Sequence, residues 1–294
     1  MKPLRIWLVG TGTVGTWLAG VLGAERQRLA ARYGLDATVV GVASARGGFA
    51  YDARGLDLAS LIAAPGRRPA VGGPEVGRPP GPAGPGVGRW PSTIEGLRAT
   101  EADLLVEVSA SPAADGEPGV TNMREALQRG IPVVTSNKWP VALHGAELAA
   151  LARSQGVAFR AESTVMSGTP VLSTLTEGLA GAVPVGLRGV LNATANFILS
   201  QMANGRSYED ALAEAQRAGL AERHPAADVE GHDTVAKVMI LSGLVFGRQL
   251  GREQVTCRGI TAVTRPEIAQ AASAGGASGT SRRSASPGRE ERAA

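Results

Sequence analysis

The sequence has one cysteine, three histidines and few aromatic residues, which make up 4% of its 294 positions. A single cysteine excludes a disulfide framework, a four-cysteine zinc site and a CxxC redox motif. No apolar run approaches the roughly 18 residues that a membrane span requires. The opening stretch MKPLRIWLVGTGTVG reaches its glycines too early for the apolar core of a signal peptide. We therefore expect a soluble, cytoplasmic protein with no membrane partner.

The excess of positive charge is small, with a formal net charge of +4. It is concentrated in two segments: residues 65–89 carry four arginines against one glutamate, and residues 271–294 carry four against two. A nucleic-acid-binding surface needs basic residues on a folded face, ideally with aromatic residues between them. We therefore expect no nucleic-acid partner.

The same two segments have compositions that do not favour folding. Residues 65–89 contain 15 glycines or prolines in 25 positions, which predicts a flexible insert. Residues 271–294 contain no Ile, Leu, Val, Met, Phe, Trp or Tyr, so they have little to bury. We predict a disordered tail there.

Strand-like and helix-like segments alternate along the rest of the chain. The predicted strands are short apolar runs at Leu4–Val9, Thr38–Ala43, Leu104–Val108, Pro132–Thr135 and Val157–Ala161. Helical patterns fall between them, including 14–32 and 120–129, and a helix over 140–154 begins the second half. This alternation predicts an α/β fold with a Rossmann-type parallel sheet over residues 1–139, followed by an α+β domain over 140–262.

The motif GTGTVG occupies positions 10–15, directly after the first predicted strand. Gly10 permits the tight turn, Gly12 lets a pyrophosphate approach the backbone, and Gly15 lets the helix pack on the sheet. Thr13 and Val14 begin that helix, whose unpaired N–H groups attract an anion. The motif predicts dinucleotide binding; the alternative is a purely structural turn.

The end of the second strand bears on which dinucleotide is bound. Ser44 and Arg46 stand where an NAD enzyme usually places an acidic residue for the ribose hydroxyls. Arg46 could pair with a 2′-phosphate, which favours NADP and leaves NAD open. The alternative is that Arg46 is an ordinary solvated residue.

Two lysines are candidates for the chemistry. Lys138 follows the strand at Pro132–Thr135, at the edge of the sheet where ligands bind, although a surface lysine is an equal alternative. Asp233 and Lys237 lie one turn apart in an otherwise apolar helix, 231–247. Such a pair is usually a surface salt bridge. Because a buried ion pair seldom adds net stability, we interpret this one as functional, with the lysine able to transfer a proton.

An acidic stretch, AERHPAADVE, precedes that helix and contains Glu222, Asp228 and Glu230. Carboxylates beside a cleft would suit a substrate with an ammonium group; the alternative is a solvated acidic loop. The spacing of the three histidines matches no zinc signature. Cys257 lies outside any strand–turn–helix setting for a nucleophile, which argues against an aspartate-semialdehyde dehydrogenase.

Taken together, five ordered stretches between about residues 4 and 262 resemble homoserine dehydrogenase. They are GTGTVG (10–15), TSNK (135–138), AESTVMSGTP (161–170), VLNATANFIL (190–199) and GLAERHPAADVEGHDTVAK (219–237). The resemblance implies a dinucleotide-binding domain over 1–139, and a substrate-binding and dimerisation domain over 140–262. It implies NAD(P)-dependent interconversion of L-homoserine and L-aspartate 4-semialdehyde, in threonine, methionine and isoleucine biosynthesis.

The resemblance also assigns roles to individual residues. Lys237 would be the acid/base, and Asp233 would orient the substrate. Glu222 would bind the substrate's amino end, with Asp228 in support. Lys138 would lie between cofactor and substrate, and Ser109 on the nicotinamide side.

The family further implies a homodimer and a monovalent cation, typically sodium. The cation ligands map to Glu162 and to the carbonyl oxygens of Val165, Ser167 and Thr169, a hard-oxygen set that suits such an ion. Relatives continue past the position of Ile260 with packed elements, whereas this chain runs into AQAASAGGASG. We therefore keep a second hypothesis, a weakly active or inactive dinucleotide-binding relative.

Overall fold

The computed structural model describes residues 2–45, 48–58 and 93–273. The chain divides into two compact units, Met1–Ser167 and Gly168–Ala294. The domain boundary predicted between residues 139 and 140 falls inside the helix Lys138–Ser154, which packs on a helix of the first unit. The predicted insert at 65–89 lies outside the described residues.

The first unit is built on a six-stranded sheet. In chain order the strands are β1 (Lys2–Val9), β2 (Leu35–Ser44), β3 (Gly48–Tyr51), β4 (Leu104–Glu107), β5 (Val133–Thr135) and β6 (Phe159–Arg160). Their order across the sheet is β3-β2-β1-β4-β5-β6, and only β3 runs antiparallel to its neighbour. The predicted parallel, Rossmann-type sheet is confirmed, while β3 is an edge strand that the sequence did not reveal.

The apolar strands are buried on both faces. Ile6 and Leu8 pack with Val39 on one side of the sheet. Trp7 and Val9 point the opposite way and join the larger core. Continuous apolar runs are typical of parallel strands covered by helices on both faces, and they explain why these segments were recognisable from sequence.

Six helices of the first unit lie wholly within the described residues. They are α1 (Thr13–Ala24), α2 (Arg26–Tyr33), α3 (Thr93–Ala99), α4 (Gly119–Gln128), α5 (Lys138–Ser154) and α6 (Ser163–Met166). The single helix predicted over 14–32 is two helices that meet at Glu25, and α3 was not predicted. The helices predicted over 120–129 and 140–154 are confirmed as α4 and α5, with small shifts at their ends.

The strand order creates a switch point between β1 and β4. The chain continues from β1 towards β2 on one side, and from β4 towards β5 on the other. Val9 pairs with Glu107, so both strands end at the same edge of the sheet. Ligands of open α/β sheets bind in the crevice outside this point.

The described residues of the second unit form helices and no strand. The helices are α7 (Val171–Ser173), a π-helical turn (Thr174–Gly178), α8 (Ala193–Ala203), α9 (Tyr208–Arg217), α10 (Ala226–Val229), α11 (His232–Val245), a 3₁₀ turn (Arg252–Gln254) and α12 (Arg265–Ser273). Their core includes Ile198, Val229 and Ile260. The strand predicted at Val157–Ala161 is β6, which completes the sheet of the first unit.

The helix α12 corrects one expectation. Residues 271–273 were predicted to begin a disordered tail, but they close α12. Ile268 anchors this helix with 5% of its surface exposed, in the core of the second unit. The remaining residues of the predicted tail, 274–294, lie outside the described part of the chain.

Candidate functional site

The glycines of the GTGTVG turn have different surroundings. Gly10 has a φ of 105°, and a Cβ there would lie 2.6 Å from the backbone nitrogen of Ser109. A Cβ at Gly15 would collide with the carbonyl oxygen of Gly10. A Cβ at Gly12, by contrast, would meet no atom within 4 Å. Gly10 and Gly15 are thus required by packing, while Gly12 leaves open space at the edge of the sheet.

The helix α1 begins at this open space. Gly12 is its N-cap, and within the described residues no side chain caps the helix and no acid stands in its first turn. Thr13 is exposed, and half of the surface of Val14 is exposed. The N-terminus of α1 therefore presents backbone N–H groups and the positive end of the helix dipole to an anion. This arrangement fits the pyrophosphate of a dinucleotide.

Ser44, predicted at the ribose end of that site, is the last residue of β2 and pairs with Gly48 of β3. Arg46, the candidate for a 2′-phosphate, lies outside the described residues. The position of Ser44 at the carboxyl edge of the sheet agrees with the prediction, and its contact with a cofactor stays a prediction.

A buried acid at the switch point was missed by sequence reasoning. Glu107 is the last residue of β4 and has 0% of its surface exposed. The backbone N–H of Ser109 donates to its Oε1 at 2.9 Å, and the Ser109 hydroxyl donates to the same atom. Asn122 donates to Oε2 at 2.9 Å. Burial raises the pKa of the Glu107 carboxyl, and these hydrogen bonds oppose the rise.

The loop after β5 is tied to the same acid. The hydroxyl of Thr135 donates to the Glu107 carbonyl oxygen at 2.7 Å, and the backbone N–H of Asn137 donates to that hydroxyl at 2.9 Å. The Asn137 amide donates to Ser111 Oγ at 2.8 Å and to Ser109 Oγ at 3.4 Å. Asn137 is the N-cap of α5, whose first residue is the half-buried Lys138. The structure thus brings the loops of Ser109 and Lys138 together, as the site prediction requires.

The second unit contains the predicted ion pair. Lys237 Nζ lies 2.7 Å from Asp233 Oδ2, and it also donates to the Leu191 carbonyl oxygen at 2.7 Å. The two side chains are 14% and 11% exposed. Because the helix α11 is apolar on most sides, this pair is held among buried residues rather than in solvent, as the sequence predicted.

Asn192 connects the pair to Asp228. Its amide donates to Asp228 Oδ1 at 2.7 Å and to Asp233 Oδ2 at 3.0 Å. Its own oxygen caps α8 by accepting from the Ala195 N–H at 2.8 Å. Sequence reasoning missed Asn192 as a site residue, although it lies in the stretch VLNATANFIL that carries part of the family resemblance.

The other acids of the loop before α11 lie apart from this network. Glu222 is exposed, and within the described residues no hydrogen bond joins its carboxylate to Asp228, Asp233 or Lys237. Glu230 instead contacts His232 at 3.1 Å. Of the predicted carboxylates, the structure therefore brings Asp228 and Asp233 together and leaves Glu222 outside.

The predicted cation ligands lie between residues 162 and 169. Glu162 is half-buried, Val165 is buried, and Ser167 and Thr169 are exposed. Ser167 has a φ of 51°, the only positive φ of a residue other than glycine in the described ranges. Within those ranges, no three His, Cys, Asp or Glu side chains form a metal-binding group. That finding does not bear on a site built mainly from carbonyl oxygens.

None of the helices within residues 2–45, 48–58 and 93–273 combines the length and apolar character needed to cross a bilayer.

The family model for homoserine dehydrogenase matches residues 170–279. An NAD(+)-dependent homoserine dehydrogenase from Pseudomonas canavaninivorans is 39% identical over 276 residues, covering 92% of this chain and 74% of the relative. A homoserine dehydrogenase from Methanocaldococcus jannaschii is 35% identical over 263 residues, covering 89% of this chain and 74% of the relative.

Solved structures agree with these relatives. A hyperthermophilic archaeal homoserine dehydrogenase mutant in complex with NADPH aligns with a TM-score of 0.71 and 28% identity, covering 90% of this chain and 76% of that one. The homoserine dehydrogenase from Thermoplasma acidophilum aligns with a TM-score of 0.67 and 29% identity, covering 89% of this chain and 75% of that one. The similarity spans both units of the chain.

Proposed function

Because this chain belongs to the homoserine dehydrogenase family of NAD(P)-dependent oxidoreductases, which act on a CH–OH group, we propose that Asp233 and Lys237 carry its proton transfer. The substrate pair is L-homoserine and L-aspartate 4-semialdehyde. The observation that carries the proposal is the geometry around Lys237 Nζ.

The Lys237 nitrogen has three positions besides its bond to Cε. Asp233 occupies one and the Leu191 carbonyl oxygen another, each at 2.7 Å. In the neutral amine these two acceptors take both N–H bonds, so the lone pair is left at the third position, ready for the substrate's hydroxyl proton. In the ammonium form the third position holds an N–H that returns the proton to a carbonyl oxygen. Asp233 thus helps to fix which position on the Lys237 nitrogen exchanges a proton with the substrate.

When bound, the nicotinamide cofactor supplies hydride transfer at the substrate's C4. The chain's own contribution on that side is the open turn at Gly12, the N-terminus of α1 and the adjoining loops of Ser109 and Lys138. We infer that Lys138 lies between cofactor and substrate and that Ser109 faces the nicotinamide. The missing acid at the end of β2, together with Arg46, favours NADP over NAD.

The substrate's ammonium group is assigned to the carboxylates of the second unit. Asp228 and Asp233 carry two negative charges, and Lys237 neutralises one of them only in its ammonium form. At least one negative charge therefore remains in either form of Lys237, and it favours a cationic amino group. Glu222 is exposed and lies outside the hydrogen-bond network. We therefore propose that Glu222 contacts the substrate's ammonium group from the solvent side, and that Asp228 supports it from within the network.

A monovalent cation, sodium, is proposed at Glu162 and the carbonyl oxygens of Val165, Ser167 and Thr169. The strained backbone at Ser167 supports this assignment, because a positive φ at a residue with a side chain is costly and is retained mainly at functional positions. Carbonyl and carboxylate oxygens suit a hard cation of low charge.

We further propose a homodimer. Residues 183–190 have no regular secondary structure, and Val183 and Val185 are 88% and 80% exposed. An exposed apolar stretch of this kind is suited to burial against a second copy. On the family premise, the reaction would serve threonine, methionine and isoleucine biosynthesis in the cytoplasm.

The test is an assay of nicotinamide reduction with L-homoserine. We expect turnover by the wild type, a loss of roughly 100-fold or more in kcat for Lys237→Ala, and an unchanged Kd for the cofactor. A matched control is Arg98→Ala, which removes a surface ion pair of the first unit with Glu125 and leaves kcat unchanged. A wild type that binds NADP but does not turn over would support the inactive relative instead, and near-normal turnover by Lys237→Ala would remove Lys237 from the mechanism.

A further inference from the structure

Glu107 is the one charged side chain among the buried residues of the described ranges. The proton transfer proposed above does not use it. A buried carboxylate is costly unless it is hydrogen-bonded, so its retention at the end of β4 calls for a role.

Its location links it to the dinucleotide turn. The chain passes from Glu107 through Val108 to Ser109, and a Cβ at Gly10 would come within 2.6 Å of the Ser109 nitrogen. Ser109 therefore packs directly against the turn that would receive the cofactor. Through the Thr135 hydroxyl and the Ser136 N–H, the Glu107 carbonyl oxygen also holds the loop that leads to Lys138.

Donors from three residues converge on the carboxylate. Ser109 donates both its backbone N–H and its hydroxyl proton to Oε1, and Asn122 donates to Oε2. A hydrogen bond from the Asn137 side chain also acts on the Glu107 carboxyl and lowers its pKa. A hydroxyl has one proton and two lone pairs. Because Glu107 takes the proton, the Ser109 oxygen is left as an acceptor, with Asn137 as a long partner at 3.4 Å.

We propose that Glu107 is a positioning residue that fixes the Ser109 hydroxyl as a hydrogen-bond acceptor for the nicotinamide half of the cofactor. The natural donor is the N–H of the nicotinamide carboxamide, which finds an acceptor already oriented. This proposal rests on the proposed function, since it takes the crevice beside Gly12 as the nicotinamide dinucleotide site.

The arrangement explains why the residue is a glutamate and not a glutamine. Glutamine has one acceptor oxygen and one NH2 group, whereas the neighbouring groups of Ser109, Asn122 and Asn137 are all donors. If its oxygen accepts from Ser109, its NH2 opposes the Asn122 NH2. If the glutamine amide is flipped, its NH2 group faces the two donors of Ser109, and the Ser109 hydroxyl is no longer held in one orientation. A carboxylate at position 122 would remove the conflict, because it can accept from the glutamine.

The test measures binding of two ligands to the full chain: NADPH, and the matching phosphorylated ADP-ribose that lacks nicotinamide. For Glu107→Gln we expect NADPH to bind about tenfold more weakly, the effect of one misdirected hydrogen bond. ADP-ribose binding should stay within about twofold. The double variant Glu107→Gln/Asn122→Asp should restore most of the NADPH affinity at the same net charge as the wild type.

Ser109→Ala is the second variant, in case Glu107→Gln does not fold. It removes the hydroxyl but keeps the backbone donor, and it should show the same selective loss of NADPH affinity. If Glu107 acts through this hydroxyl, Glu107→Gln should cost little further in the Ser109→Ala background.

Equal losses for both ligands would show that Glu107 is merely structural, and unchanged NADPH affinity in either single variant would also overturn the proposal. The proposed function is judged separately. Wild-type protein that binds NADPH but does not oxidise homoserine contradicts only that function, whereas wild-type protein that binds neither ligand contradicts both.

Discussion

Lys237 and Asp233 lie one helical turn apart with their charged atoms 2.7 Å from each other, and both side chains are almost entirely shielded from solvent. On an exposed helix such a pair stabilises by a few tenths of a kcal/mol. In a buried setting the loss of hydration offsets most or all of the attraction, and well-packed apolar residues often do better. The pair is therefore better explained by the reaction than by the fold.

This gives a prediction about stability and activity together. The double variant Asp233→Asn/Lys237→Met should unfold at the wild-type temperature or slightly above, while kcat falls by at least about 100-fold. The single variant Lys237→Met leaves Asp233 without its cation and should be destabilised by about 3–5 kcal/mol. Thermal unfolding and steady-state kinetics on the same preparations check both values. A double variant that melts many degrees lower would show that the pair is needed for folding.

A second prediction concerns Asn192, which caps α8 and holds the carboxylates of Asp228 and Asp233. Asn192→Ala should lower the free energy of unfolding by about 1–3 kcal/mol, and it should also raise the KM for homoserine because two carboxylates lose their donor. The matched control is Ser207→Ala, which removes the cap of α9, where Ser207 accepts from the Asp210 N–H at 3.0 Å.

The control should lose about 1 kcal/mol of stability, with unchanged kinetics. Asn192→Asp keeps a capping oxygen but adds a third carboxylate, so it should keep more stability than Asn192→Ala and still raise the KM. If Asn192→Ala and Ser207→Ala affect kinetics equally, Asn192 acts only as a cap.

The sequence indicated the sheet well because apolar strands and glycine turns are local signals. It indicated Lys237 and Asp233 for the same reason, since two charges stand out in an apolar helix. Asn192 was not identifiable in this way, because its partners lie 36 and 41 positions further along the chain. Glu107 did leave a signal, a lone acid at the end of the run LLVEV, which an apolar strand would bury.

The end of the second unit was misjudged for a different reason. The composition after residue 268 favours solvent, but the buried Ile268 holds a short helix whose first turn is capped by reciprocal hydrogen bonds between Thr264 and Glu267. The boundary between the two units was equally hard to read, because α5 and β6 follow β5 within the first unit without any change in composition.

A third prediction separates the glycines of the dinucleotide turn. Gly12→Ala should leave the melting temperature almost unchanged, because a Cβ there meets nothing within 4 Å, yet it should weaken cofactor binding by filling the space for the pyrophosphate. Gly15→Ala should destabilise the first unit, because its Cβ collides with the Gly10 carbonyl oxygen. Calorimetry and cofactor titration distinguish the two. Equal cofactor affinity in Gly12→Ala and wild type would place the pyrophosphate elsewhere.

A fourth prediction concerns cofactor choice. If Arg46 pairs with a 2′-phosphate, Arg46→Ala should weaken NADP binding by about 1.5–3 kcal/mol and leave NAD binding almost unchanged. Titration of both cofactors into both proteins gives the comparison. Equal losses of affinity for NADP and NAD, or a wild type that already prefers NAD, would mean that Arg46 does not bind the 2′-phosphate.

The last prediction follows from the carboxylate of Glu267, in the first turn of α12. Glu267 accepts from the Thr264 N–H at 2.8 Å and from its hydroxyl at 2.9 Å, and it pairs with Arg258 at 2.8 Å. The Arg258 hydrogen bond, followed by those of Thr264, lowers the pKa of Glu267 from 4.5 to about 2. A depressed pKa means that the ionised form stabilises the fold above pH 4.5, and that this contribution is lost as pH falls from there through about 2.

Removal of this charge should therefore matter only in one range of pH. Glu267→Gln should melt below the wild type at neutral pH, and the difference between them should shrink below pH 4.5 and vanish once the pH is below about 2. The physical reason is that the wild-type carboxyl, once protonated, caps α12 no better than an amide. Melting curves of both proteins across this range, at one fixed salt concentration, give the result. A difference that stayed constant with pH would show that Glu267 stabilises α12 through its shape and not through its charge.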